Sequence, residues 1–591
     1  MKSTSQQSAP RRHDFRPRLW PRVFIGVGLL IWTAGLGFAG SSKLSPDLLQ
    51  ADPDSTVDII VQFTGVPTET DHQRIREHGA ELKKELPVVK GALYSVPARK
   101  LEGLSENPRV VYISPDRQVG ASLDLTAAAV NASVAWQSGF VGKGIGVAVI
   151  DSGISNHDDL KTVICLNPPS CTSYTPSSTP RVVYNQDFVG GGTDDHYGHG
   201  EHVAGIVAGD GIDSSCSICT RAFRGIGPYA NLINLRVLDQ NGQGTDSAVI
   251  SALQQAIKLS KQYKIGVINL SLGRPVFESY TQDPLCKAVE AAWKSGIVVV
   301  VAAGNYGRNN SMGTSGYATI TAPGNDPYVI TVGAMKTMGT PQRSDDLIAS
   351  YSSKGPTLID HVVKPDIVAP GNRLVSLLAS TATLPALYPQ NLIPLSYYEQ
   401  TGSTALSNGY YQLSGTSMAA AAVSGAVAVL LQAQPNLTPD QIKARLMKTA
   451  YKSFPSTSSV TDPATGTVYV SQYDIFTIGA GYLDIGAALA SSDVAQGTAR
   501  SPAAFFDSGS GNVYLISDSS AVWGTSAVWG TSAVWGTSVF LNGTSAVWGT
   551  SAVWGTSTDS GFSAVWGTSA VWGTSTGDSS ESVSIAIQGE N

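Results

Sequence analysis

Hydrophobic positions divide the chain into stretches with different periods. Between residues 50 and 119 they come in short runs separated by charges. VDIIVQF (57–63) alternates as a half-buried strand does, and Arg74–Leu86 has the charged spacing of a helix. Ala92–Val96, Leu101–Glu106 and Arg109–Ile113 then predict a strand, a short helix and a last strand. The segment reads as a small, sandwich-like α+β unit. From residue 145 the pattern changes. IGVAVIDSG (145–153), LINLRV (232–237), GVINL (266–270) and IVVVV (297–301) are unbroken apolar runs, with a helix pattern over Ser247–Tyr263. Unbroken runs alternating with helices predict a doubly wound α/β fold, a mainly parallel sheet covered on both faces. A small-apolar helix pattern, Met418 to Leu431, follows SGTS, and GAGYLDIGAAL (479–489) closes the unit with a last helix.

Four polar residues stand at the ends of these runs. Asp151 ends the first strand, where α/β sheets carry their functional groups. His199 sits between two glycines before a small-residue helix, HYGHGEHVAGIVAG (196–209). Asn305 follows the IVVVV strand, and Ser417 opens the last small-apolar helix. A helix N-terminus offers unpaired N–H groups and a positive dipole end, which suit an acyl oxyanion. Taken singly, each residue has a plainer reading: a turn cap, a structural histidine, a turn asparagine, an N-cap serine. His202 faces into its helix and reads as structural, and His196 as a loop residue.

Composition narrows the class. A chain of 591 residues predicts several domains. A net charge of −6 gives no case for a nucleic-acid partner. Residues 1–22 carry Lys2, Arg11, Arg12, Arg16, Arg18 and Arg22 against Asp14, before the apolar run Val23–Ala39 and the small residues Gly37, Ala39 and Gly40. That reads as a signal peptide over 1–40, with an uncleaved anchor as the competing reading. Either predicts a secreted or envelope-associated protein. Five cysteines suit an oxidising compartment. Cys165 with Cys171 and Cys216 with Cys219 can pair locally, Cys286 is left over, and a zinc or redox role for Cys216 and Cys219 lacks a second pair nearby.

The order Asp, His, Asn, Ser joins these residues. VAVIDSG, GHGEHVAG, INLSLG (268–273), VVAAGN, KPDIVAPG (364–371) and SGTSMAAAAVSG resemble the motifs of subtilisin-like serine proteases, the subtilases of peptidase family S8. The resemblance spans about residues 123–490. It implies a serine endopeptidase with Ser417 as nucleophile, His199 as general base and acid, and Asp151 as orienting carboxylate. It implies an oxyanion hole of the Asn305 side chain and the Ser417 N–H. Ser271, Leu272 and Gly273 match the strand that pairs with extended substrates, and Ala302, Ala303 and Gly304 the opposite pocket wall. Thr321–Gly324 matches a turn with a cis Ala322–Pro323 bond. No cofactor is implied for the chemistry, structural calcium is frequent in the family, and the partners are protein or peptide substrates of a monomer. The segment 50–119 resembles an I9-type inhibitory prodomain, with self-cleavage expected within about Asp116–Leu125. A lipase or esterase is disfavoured, because the serine lies in G-T-S-M-A rather than G-x-S-x-G. The alternative from another class is an envelope-binding protein with an inactive protease-like core.

Two positions depart from the family pattern. Glu201 replaces a small or hydroxyl residue and is expected to act on the His199 pKa or on substrate. Ala421 replaces a proline and should alter helix entry slightly. Asn372–Leu413 reads as a surface insertion near the cleft. Asp158, Asp159, Asp187, Asp194 and Asp195 offer hard oxygen ligands for calcium, with solvated loop acids as the competing reading. The domain plan is signal peptide 1–40, prodomain 50–119, catalytic domain 120–490, linker 491–519 with a strand at Asn512–Ile516, repeat region 520–576 and a final segment 577–591. In the repeat region AVWG occurs seven times, mostly at a period of six, which predicts short β elements with tryptophan on one face, or a low-complexity segment.

Overall fold

The computed structural model describes residues 55–115, 125–165, 174–507 (except 312, 401 and 464), 512–516 and 589–590, with short pieces at 43–45, 48, 53 and within 522–553. The signal segment, Cys171 and most of the expected cleavage window lie outside the described residues. Two compact units are present, Met1–Val119 and Gly120–Asn591.

The first unit is a four-stranded antiparallel sheet in the order 81–86, 91–97, 56–63, 110–115. Ile75, Leu101 and Leu104, from two short helices, share one core with Ile59, Val61 and Tyr94. It is a helix-on-sheet layer rather than a sandwich. The helix expected over Arg74–Leu86 is corrected: Glu69–Arg76 is the helix and Glu81–Leu86 a strand. Gly79, at φ +80°, turns the chain between them. Glu81, Lys83, Lys84 and Glu85 are exposed on this edge strand, where charge discourages pairing with other chains.

The second unit is built on a sheet in the order 347–348, 330–336, 298–302, 265–270, 146–151, 231–236, 182–187, with 367–370 also paired to 330–336. All pairs are parallel except 347–348. Its centre, GVAVID at 146–151, is buried at every position, as an unbroken apolar run requires. From that strand the chain goes first to one side (231–236, 182–187) and then to the other (265–270, 298–302). The reversal places a crevice at the strand C-terminal ends beside Asp151. Helix Thr416–Ala433 is buried along nearly its whole length and runs through Ala421 without a break. It is long and apolar enough to cross a membrane, but 89% of that stretch lies inside the protein.

The Asn372–Leu413 insertion is only partly on the surface. It forms a three-stranded sheet, 374–377, 406–413 and 392–394, with Leu374, Leu377, Tyr410, Tyr411 and Leu413 buried. Within 491–519 the expected strand Asn512–Ile516 is present, and the segment also bonds to the catalytic unit. Val363 N–H donates to the Pro502 carbonyl at 2.8 Å, and Ala504 N–H to that of His361 at 2.7 Å. Strands Ala503–Asp507 and Asn512–Ile516 then form a hairpin. In the repeat region the described strands are Val522–Trp523 with Ser526–Ala527, Val547–Trp548 with Ala552–Val553, and Val539–Leu541 beside the hairpin. Cys216 and Cys219 are disulfide-bonded and Cys286 is a buried free thiol. Ala322–Pro323 is cis.

Candidate active site

Asp151 is the last residue of the central strand and 1% exposed. Its Oδ1 lies 2.8 Å from His199 Nδ1. A carboxylate only accepts, so Nδ1 carries the proton and Nε2 is left as the basic nitrogen. Burial pulls the His199 pKa down. The Asp151 charge and hydrogen bond, with Asp195 further off, outweigh it and leave the pKa above its ordinary value.

His199 immediately precedes helix Gly200–Ala208, and Asp195 fixes the loop that delivers it. Asp195 Oδ1 accepts from Ser152 Oγ (2.8 Å), Tyr197 N–H (3.0 Å) and Gly198 N–H (2.7 Å), and Oδ2 accepts from Glu201 N–H (2.7 Å). A buried carboxylate held by three backbone N–H groups and one hydroxyl is a structural clamp, not a solvated loop acid. Asp187 accepts from three backbone N–H groups and faces Arg236, and Asp158 pairs with Lys161. Asp159 is held by Tyr410 Oη and Asp213 N–H. Among the described residues its one grouping with metal-type ligands is with His157 and Asp213.

Glu201 does not face substrate. It is 1% exposed, absent from the cavity lining, and accepts from Ser155 N–H. Burial raises its carboxyl pKa well above the ordinary range, with Asp195 and Asp194 adding to the shift. Burial thus disfavours its charged form, and it is not among the groups that shift His199. His202 is fully buried, with Nε2 3.1 Å from the Leu374 and Tyr411 carbonyls, and burial pushes its pKa down to about 3.

Ser417 is the second residue of helix Thr416–Ala433, so its N–H is in the unpaired first turn. Its Oγ donates to the Ser271 carbonyl at 3.2 Å. In return Ser271 Oγ donates to the Ser417 carbonyl at 2.9 Å, and Asn269 Nδ2 donates to Ser271 Oγ at 2.9 Å. Ser271 is thus buried and ties helix to strand, whereas Leu272 is half-buried and Gly273 exposed. Asn305 Oδ1 accepts from Thr416 N–H at 2.9 Å and from Thr416 Oγ at 3.0 Å. Thr416 was not singled out from the sequence; its only signal was its place in S-G-T-S.

His199, Asn305, Thr416 and Ser417 line one cavity of about 370 Å³ with Ser271, Leu272, Gly273, Ala302 and Gly304. Asp151 stands behind His199, and Ala303 is fully buried and does not line the cavity. Gly304 has φ +106°, and a Cβ there would come within 2.8 Å of Ser353 Oγ and 2.9 Å of Thr321 Cγ2. Only glycine keeps that wall as it is.

The subtilase (peptidase S8) family pattern matches residues 142–469. The chain is 34% identical over 406 residues to serine protease AprX of Bacillus subtilis, covering 66% of this chain and 81% of AprX. It is 31% identical over 380 residues to subtilisin E of the same organism, covering 64% and 79%. Among solved structures it matches a cold-adapted subtilisin-like serine proteinase at 28% identity, over 53% of this chain and 84% of that one, with a TM-score of 0.35. The family pattern covers more than half of the chain, and the chain belongs to the subtilase family: it is a subtilisin-like serine endopeptidase.

Proposed function

We propose that this endopeptidase cuts extended protein segments by acyl transfer to Ser417. In this reading the hydroxyl turns from Ser271 toward His199 Nε2, which takes its proton as Oγ attacks the scissile carbonyl. Asp151 keeps the imidazole in the needed tautomer and offsets its positive charge. The Asn305 amide and the Ser417 N–H receive the oxyanion. His199 then returns the proton to the leaving amine, and water releases the acyl group by the same steps reversed. Leu272 and Gly273 supply an exposed edge for an extended substrate. The observation that carries the reading is the 2.8 Å Asp151–His199 bond at a cavity lined by Ser417 and Asn305. No cofactor takes part in the chemistry of this family. Among the described residues the one grouping near the expected calcium acids, His157, Asp159 and Asp213, includes an imidazole and does not fit calcium, which takes oxygen ligands.

We also infer export by residues 1–40, action as a monomer, and synthesis as a zymogen whose unit at 50–119 is an I9-type inhibitor released by cleavage within about 116–125. The basic-then-apolar start and the separate compact unit before residue 120 support this. One experiment tests both parts: a fluorophosphonate probe on purified wild type and Ser417→Ala, with N-terminal sequencing of each. Labelling at Ser417 and a new N-terminus only in wild type are expected. Absence of both in the intact wild type would overturn the reading.

A further inference from the structure

Glu590 stands far from the catalytic motifs in sequence, yet it is 6% exposed and fully engaged by the catalytic unit. Arg308 Nη2 donates to its Oε2 at 3.1 Å, Ser350 Oγ to the same oxygen at 2.9 Å, and Ser350 N–H to Oε1 at 2.5 Å. Lys336 Nζ lies 4.0 Å away. Arg308 is itself held by Asp462 (2.7 Å) and by Ser350 Oγ (2.6 Å), and its guanidinium lies over the Tyr469 ring. Arg308 thus has partners of its own besides the Glu590 carboxylate.

The backbone is read as well. Asn372 Nδ2 donates to the Glu590 carbonyl at 2.8 Å, and the Glu590 N–H donates to Asn372 Oδ1 at 3.0 Å. One side-chain amide thus bonds the peptide in both directions, as a neighbouring strand would. The preceding position admits only glycine. Gly589 has φ +78°, and a Cβ there would stand 2.4 Å from Ser414 Oγ and 2.7 Å from Arg373 Cγ.

These are the marks of a binding site. A buried arginine, a buried serine hydroxyl and a backbone N–H converge on one carboxylate, and removing it leaves buried donors unpaired. We propose that the loops carrying Arg308, Ser350, Asn372 and Ser414 form a peptide-binding site, adjoining the catalytic cavity that Ser414 also lines, that recognises a Gly-Glu segment and is filled here by Gly589–Glu590. It follows that the repeat region is joined to the catalytic unit at both ends, through the 503–516 hairpin and through this site. A single cut within the repeats would not release the far fragment.

The test uses the full chain carrying Ser417→Ala, so that nothing is digested. A labelled peptide of residues 581–591 is titrated into that chain and into the same chain lacking residues 589–591. Binding to the shortened chain is expected, at least tenfold weaker binding to the intact chain, whose site is filled, and at least tenfold weaker binding of the Glu590→Gln peptide. Equal binding to both chains, or none to a folded shortened chain, would overturn the proposal. Should the shortened chain not fold, amide exchange on the intact one decides. Glu590 should exchange at least tenfold more slowly than in the free peptide and lose that protection in Gly589→Ala. Exchange at the free-peptide rate would equally overturn the proposal.

Discussion

Thr416 holds Asn305 by two bonds to one atom, its N–H at 2.9 Å and its hydroxyl at 3.0 Å from Asn305 Oδ1. Both lone-pair directions of the amide oxygen are thereby used, and the amide can turn only its Nδ2 donor toward the cavity. Thr416 Oγ also accepts from Gly304 N–H at 3.1 Å, so one hydroxyl aligns the donor with the pocket wall.

Asn305→Ala should lower kcat by about 10²–10³-fold with little change in KM, because the donor acts on charge present only in the transition state. Thr416→Val keeps the N–H and removes the hydroxyl. It should lower kcat by about tenfold, again with KM nearly constant, as expected of a positioning residue. Steady-state kinetics on a peptide amide substrate measure both. A rise in KM at constant kcat would assign these residues to ground-state binding instead.

Activity should rise with pH through the His199 pKa, because only the neutral imidazole can take the Ser417 proton. That pKa lies above the ordinary histidine value, so the acid limb lies above about 6.5. Asp151→Asn removes the charge responsible. It should cost about 10³–10⁴-fold in kcat/KM and move the acid limb of the residual activity to lower pH. A pH–rate profile of both proteins checks the sign. An unmoved limb would separate Asp151 from the His199 titration.

Glu201→Gln should stabilise the protein above neutral pH. The folded-state pKa of Glu201 is raised, so its contribution is fully present below about pH 4.3 and is lost as pH climbs toward the folded value. Glutamine does not titrate and escapes this loss. A gain of about 1 kcal/mol, a few degrees in Tm, is expected at pH 8 and little at pH 4. Melting curves at the two pH values measure it, and a gain independent of pH would refute the raised Glu201 pKa.

Asp366 lies between two buried lysines. Its Oδ2 is 2.7 Å from Lys364 Nζ and its Oδ1 3.1 Å from Lys443 Nζ, with all three side chains at 0% exposure. Asp366→Ala leaves two buried ammonium groups without their carboxylate and should cost about 3–5 kcal/mol. Loss of soluble folded protein, or a Tm lowered by more than about 6 °C, is the expected outcome. A double variant with Lys443→Met should recover part of the loss, because burial already pushes the Lys443 pKa down to about 7.

The sequence by itself determined the parallel sheet and the identity of the polar groups at its rim. Unbroken apolar runs such as GVAVID can be buried only as central strands, and Asp151, His199, Asn305 and Ser417 stand where those strands end or helices begin. Local pattern failed where the deciding partner is distant. Glu81–Leu86 is a strand because residues 91–97 pair with it, and the apolar strand positions of Asn372–Leu413 are buried because its strands pair with one another. Asp195 read as a loop acid and Glu201 as a group acting on His199 or substrate, and only tertiary burial made one a clamp for four donors and raised the carboxyl pKa of the other. The grip of Thr416 on Asn305 joins positions 111 residues apart, and that of Arg308 on Glu590 joins positions 282 apart. Neither is encoded in a local period, because hydrogen bonds between side chains depend on where the backbone brings their donors and acceptors.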